Sequence, residues 1–355
     1  DNTINNDTAR ILALNKMQID AAKINNNNNS AVNLEGVIAE NNLTIGLTGS
    51  DTCLNNNSGN LFSGNKLSLS ASAGNITNTN GNITALDTAT LTMTNTDLTK
   101  AGNIVAANDL TLKAKSINNQ NGLIMSEKNL TVEAQSIDNS DTKNTADKGF
   151  LSGLNLNLKT INGSFDNSSG YVNAGSKLTI DSSLAIDNSS GRIFTNYADS
   201  ETSLISAVGE INNSGGELIS VGKLSVSGTS FSNESSGKLF CGSILTLTAD
   251  SFNNSTGHLL AVGDLSIKDM DNSDGLIEGG ANMTFTGTKL INNNGEIKGF
   301  GEGERIHINL DRNAASSCEA AWGDPGDILT NGNIEIDADE TSIYGILSAK
   351  GTIDI

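Results

Sequence analysis

The chain has 355 residues, 36% of them hydrophobic and 4% aromatic, with one proline and a formal charge of −19. That charge excludes a nucleic-acid role built on clustered Lys and Arg and disfavours docking on anionic lipid. No run of eighteen apolar residues is present, so nothing in the chain is expected to span a membrane.

From Ile4 onward a phrase of the form Ile-Asn-Asn-x-x-Gly returns about every twenty residues. Its starts fall at Ile4, Ile24, Leu54, Ile76, Leu98, Ile117, Ile137, Phe165, Ile186, Ile211, Phe231, Phe252, Met270 and Ile291, with a damaged copy at Ile343. A period of that length marks a solenoid. Two residues after each start stands an asparagine: Asn6, Asn26, Asn56, Asn78, Asn119, Asn139, Asn167, Asn188, Asn213, Asn233, Asn254, Asn272 and Asn293. The turn at Leu98 breaks the column with Lys100. Asparagine tolerates left-handed backbone and bonds its own main chain in turns. Stacked in register, asparagines also bond one another along a ladder.

After each Asn-rich corner come Gly, any residue, and an aliphatic: Leu61, Ile83, Ile104, Ile124, Val172, Ile193, Leu218, Leu239, Leu259, Ile277 and Ile297. Two positions later the side chain is small, as at Ser63, Ala85, Ala106, Ser126, Ala174, Ser220, Cys241 and Ala261. This alternation is strand periodicity with one face buried. A second apolar pair follows in each turn, for example Leu67/Leu69, Leu110/Leu112, Leu178/Ile180 and Leu245/Leu247, usually with Thr or Ser between its members. The pattern predicts an all-β, right-handed parallel β-helix of about fifteen turns, ~70 Å long at ~4.8 Å per turn. One turn cannot bury its own apolar face, so its neighbours supply the rest of the core.

The remaining features stand against that background. Cys241 falls in the small inward column and reads as a core filler. Cys53 lies about nine turns from it, too far for a disulfide. The repeat lengthens around 25–29 with 49–53, around 141–148, and around 196–203, where Tyr197 sits. Loops on a rigid scaffold are where binding residues gather, and also where drift is tolerated.

The largest break, 300–329, holds Trp322, Pro325, His307, Arg305 and Arg312. Trp and Arg are favoured interface anchors, while Trp is equally suited to covering a core. The expected organisation is therefore β-helix repeats over 1–299, an irregular excursion or cap over 300–330, and resumed β-helix-like strands over 331–355. Candidate partner-binding residues are Trp322, Arg305, Arg312 and Tyr197. Asn119, Asn139, Asn167, Asn188, Asn213, Asn233, Asn254, Asn272 and Asn293 are expected to form the structural ladder.

Parallel β-helices also host polysaccharide lyases and hydrolases, which need convergent carboxylates or a basic residue in a groove. Here the acids are scattered, and His258 and His307 read as solvated outward side chains. The Gly-Gly-x-Gly-x-Asp calcium nonapeptide is missing and the period is twice too long for it. The outward Thr column is too irregular for an ice-binding array. No catalytic residue, metal or cofactor is expected.

Asp187-Asn188-Ser189-Ser190-Gly191-Arg192-Ile193 with Leu224/Val226, and Phe231 to Leu247 with Asn233, Gly237 and Leu239, resemble the filamentous-haemagglutinin repeat. The likeness runs to about Gly299 and specifies a fold family more sharply than a role. It implies the shaft of a large exoprotein exported by the outer-membrane transporter of a two-partner system and retained on the surface of a Gram-negative bacterium. Such shafts occur in CdiA-type effectors of contact-dependent growth inhibition and in host-cell adhesins. The implied partner is an outer-membrane receptor or glycan on the target cell. With Pro325 as the sole proline, the Asn-Pro motifs of the family's secretion domain are missing. No toxin module is evident, and the chain starts mid-repeat at Asp1, so it reads as a shaft fragment.

Overall fold

The structure is a computed structural model. It describes residues 2–29, 35–143, 147–196, 201–310, 317–319, 326–338, 340–342 and 345–355. The fold is a parallel β-solenoid of about fifteen turns with repeats of about 21 residues and, among the described residues, no helix. The chain divides into two compact units, Asp1–Ser183 and Leu184–Ile355.

In the first unit each turn runs through a corner strand, a short strand and a long strand. Thr52–Asn55, Asn60–Ser63 and Leu67–Ala71 form one such turn. Each kind of strand pairs in parallel with its counterpart one turn away. In the short-strand ladder Val37 stands beside Leu61, Leu61 beside Ile83, Ile83 beside Ile104 and Ile104 beside Ile124, with no register shift. Like therefore stacks on like along the unit. Leu61, Leu67, Leu69 and Ile76 are at most 2% exposed, and burying each stabilises by about 1.5–3 kcal/mol. Where the long strand runs straight into the next corner strand the two fuse, as in Leu110–Asn118.

The insertion at 141–148 does not remove a turn. Phe150 occupies the aliphatic position beside Ile124 and Val172, and Leu156 and Leu158 supply the pair. The described strands on either side of this stretch keep the ladder register.

The second unit repeats the plan. Ile193, Leu218, Leu239, Leu259, Ile277 and Ile297 are stacked neighbours in its short-strand ladder, and Ile328 continues it. Within 300–330, where an irregular excursion or cap was expected, the described residues include strands. Arg305–Leu310 pairs with Met283–Ile291, Ser317–Glu319 with the same strand, and Asp327–Thr330 with Glu296–Gly299. Strand periodicity there was hidden because Gly301, Glu302 and Gly303 lengthen one corner and displace the apolar pair, Ile306 and Ile308, from its usual spacing. Both inward isoleucines are fully buried.

Candidate functional surface

The repeated asparagine is buried, and its side chain is the most regular polar feature of the molecule. In the first unit Asn6 Nδ2 donates to Asn26 Oδ1 at 2.7 Å, Asn26 to Asn56 at 2.6 Å and Asn56 to Asn78 at 2.6 Å. Asn119 then donates to Asn139 at 2.8 Å, and Asn139 to Asn167 at 2.6 Å. In the second unit the series is Asn188, Asn213, Asn233, Asn254, Asn272 and Asn292, at 2.6–2.8 Å. The expected Asn293 is not the ladder residue. The inward start of that turn is Leu290, which stands beside Met270, so Asn292 falls on the buried position and Asn293 faces outward of it.

Several of these amides also donate to carbonyls of their own corner or of the next turn. Asn56 Nδ2 bonds Gly59 O at 3.3 Å and Asn82 O at 3.2 Å. An aliphatic here would leave the buried amides of the turns on either side without a partner, at about 1–3 kcal/mol each, so an amide outcompetes an aliphatic of equal size. The left-handed backbone lies two residues beyond the ladder asparagine, at Ser58, Asn80, Asn121, Asp141 and Ser169, with φ of 50–58°. The following glycine has a different reason. A Cβ on Gly59 would sit 1.8 Å from Asn26 O of the preceding turn.

The ladder has one gap in the first unit. Ala101, not Lys100, occupies the buried position, because the strand pairing shifts register between Ile76 and Thr77. Asn78 Nδ2 turns to Ala101 O at 2.5 Å, and Asn119 Oδ1 is left buried without a hydrogen-bond partner. The corner there is two residues shorter than its neighbours and leaves a notch of about 370 Å³, lined in part by Gln120, Lys100 and Lys148.

Of the residues expected to bind a partner, Tyr197, Arg312 and Trp322 lie outside the described residues. Arg305 is exposed, pairs with Glu335 at 2.8 Å and reaches His307 Nδ1 at 3.1 Å. His258 bonds Glu278 at 2.8 Å and stands edge-on to Phe240, with ring centroids 5.1 Å apart. Both histidines therefore belong to surface pairs. Among the described residues no three His, Cys, Asp or Glu side chains are grouped to hold a metal ion.

The two outer faces differ in chemistry. Outside the long strands of the first unit run Thr44, Ser68, Thr90, Thr111 and Thr131, with Lys113, Glu133, Lys159 and Asp181 beside them. The outer face of the short strands has apolar stretches, as in the stacked Leu12, Ile38 and Phe62 of the first unit, interrupted by Thr84 and Asn173 there and by Glu278 and Lys298 in the second unit. In the second unit Phe194, Ile219, Phe240 and Leu260 form the corresponding half-buried column. Sequence reasoning missed this face. Its signal lay in the variable residue between the aliphatic and the small position, which a pattern built on inward residues treats as free.

The haemagglutinin-repeat family model matches residues 54–92, 71–151, 151–193, 195–250 and 244–355. The chain belongs to the haemagglutinin-repeat family. That match covers the solenoid turns from residue 54 onward and carries through 300–355, where the sequence repeat is least regular. No curated protein and no solved structure matches the chain. A haemagglutinin repeat points to a structural, adhesin-like role, and no helix among the described residues is long and apolar enough to cross a membrane.

Proposed function

We propose that this haemagglutinin-repeat chain is a stalk segment of a secreted exoprotein held at the surface of a Gram-negative bacterium. It projects adhesive, receptor-binding and toxin parts toward a neighbouring cell in contact-dependent growth inhibition. The observation that carries the reading is the in-register stacking within each unit. Every short strand meets its equivalent residue one turn away, and a buried amide ladder runs beside it. Such a stack resists bending because tilting one turn breaks several parallel hydrogen bonds together. It also grows by adding turns without redesign of the core. Haemagglutinin-repeat proteins are two-partner-secretion substrates, which supports an outer-membrane transporter as the export partner.

The contact with the target is proposed to lie at the breaks in the sequence repeat. Tyr197, Arg312 and Trp322 are its candidate residues, together with Arg305. The test is binding of fluorescently labelled chain to intact bacteria and to epithelial cells, side by side, with the Trp322→Ala/Arg312→Ala variant as comparison. Saturable binding to bacteria that the variant loses, with an unchanged circular dichroism spectrum, is the expected result. Binding to epithelial cells alone makes the segment part of a host adhesin. Binding to neither leaves the stalk without a contact of its own.

A further inference from the structure

We propose that the notch at Gly102 in the first unit binds one anionic sugar, a pyranose ring that carries a carboxylate. This goes beyond the stalk reading, and none of its residues is among the contacts proposed there. The notch measures about 370 Å³, within the ~300–1,000 Å³ of small-molecule sites.

The chain makes this notch by omission. Thr79 and Asn80 separate the ladder residue Asn78 from Gly81, and Gln120 and Asn121 separate Asn119 from Gly122. No residue separates Ala101 from Gly102, so the turn between those two has no tip. Asn80 and Asn121 stand at the flanking tips, with φ of 53° and 55°. Their backbones are two strand spacings apart, ~10 Å, which leaves room for one sugar ring. The same turn breaks the ladder, and Asn119 Oδ1 is buried there without a partner. A corner of full length carrying asparagine would close that fault and fill the notch together. A local departure that costs stability is where function is expected.

Two cations meet at this slot. Lys100 is exposed at the end of Ala89–Lys100. Lys148 precedes Gly149, whose N–H donates to Gly122 O at 2.8 Å. Lys148 therefore stands one turn beyond Gly122, which has no side chain to come between it and the slot. Both lysines line the notch, and neither forms an ion pair among the described residues. Asp141 and Asp147 are exposed and outside the lining, while Asp97 is held by Lys115 at 3.1 Å and Ser116 at 2.6 Å. Two unpaired cations in one concavity favour an anion there, even in a chain of charge −19. The walls add neutral groups. Asn103 and Gln120 are fixed by Asn82 at 2.9 Å and Ser140 at 3.0 Å. The side-chain amides of Asn80 and Asn121 have no partner among the described residues. A free amide offers both donors and an acceptor, which is what ring hydroxyls take up. A bare phosphate would engage the lysines and leave these amides idle, whereas a carboxylated sugar uses both sets.

The experiment is saturation-transfer NMR on the full chain, titrated with glucuronate and with glucose at constant ionic strength. Glucuronate should give saturable transfer at millimolar concentration, and glucose should bind several-fold more weakly. Lys100→Gln and Lys148→Gln should each weaken glucuronate binding several-fold while keeping the parent's circular dichroism. Lys113→Gln, which removes the same charge from a residue paired with Glu133 at 3.5 Å, should bind like the parent. No transfer to glucuronate, equal binding of glucose, or notch variants that bind as the parent does overturns the proposal. Inorganic phosphate is added last as a competitor. Displacement of glucuronate by an equal or lower concentration of phosphate overturns the sugar assignment.

Discussion

Replacing Asn213 with Asp changes one atom's role and almost nothing of the side chain's shape. Asn213 is fully buried. Its Nδ2 donates to Asn233 Oδ1 at 2.7 Å and to Lys238 O at 3.0 Å, while its Oδ1 accepts from Asn188 at 2.6 Å. In Asn213→Asp the acceptor toward Asn188 survives, and the donor becomes an oxygen facing two other oxygens. Two buried acceptors then lack a donor, at about 1–3 kcal/mol each, and burying the carboxylate costs several kcal/mol more. Its charge-assisted bond from Asn188 returns about 1.5–3 kcal/mol. The net expectation is a loss of roughly 4–6 kcal/mol at neutral pH by this accounting.

Protonation removes the charge and supplies one O–H donor, so the folded state holds this proton more tightly than the unfolded chain. The folded pKa is therefore raised, and the deficit grows as pH climbs through and above the unfolded carboxyl value of about 3.9. Asn213→Leu lacks the titrating group, and its loss should be independent of pH over the same range. Urea unfolding followed by far-ultraviolet circular dichroism, with parent and both variants at each pH, separates the two terms. The reasoning fails if Asn213→Asp is as stable as the parent at neutral pH, or if its deficit relative to Asn213→Leu does not shrink on acidification.

Asn119 already lacks its incoming amide bond, so Asn119→Leu should cost about 1 kcal/mol less than Asn213→Leu in the same urea assay. Burial raises the pKa of the Cys53 and Cys241 thiols, so the folded chain keeps these protons after the unfolded chain has lost them. Stability should then fall as pH rises above the unfolded thiol value of about 8.5, and Cys241→Ala should remove part of that slope in a pH series of urea melts. Deleting residues 234–254 joins Asn233 to Ser255 and removes one period. The shortened chain should keep a β-rich spectrum per residue and a cooperative melt, whereas collapse to an unfolded spectrum would show that turns are not interchangeable.

The inward columns were legible in the sequence wherever the repeat keeps its spacing. Leu61, Ile83 and Ile104 recur at fixed spacing because a parallel ladder stacks each turn on its equivalent, and only a side chain of similar size fills the same slot in every turn. The asparagine column was legible for the same reason, since a buried amide in one turn is paired by an amide in the next. Exact register was another matter. Asn293 and Asn292 are adjacent asparagines, and only the pairing of Leu290 with Met270 decides which one points inward. Ala101 took the place expected for Lys100 because a register shift in the ladder moved the buried position by one residue. The strands within 300–330 were hidden in the same way, by corner residues that change the spacing without changing the stack.

The outward face of the short strands belongs wholly to the tertiary structure. Phe240, Leu260 and Val262 look unrelated in sequence, and they become one surface because the solenoid sets residues about twenty apart at neighbouring positions. Periodicity along the chain fixes what must be buried, since burial is repeated in every turn. Which exposed side chains meet is decided by the stacking of turns.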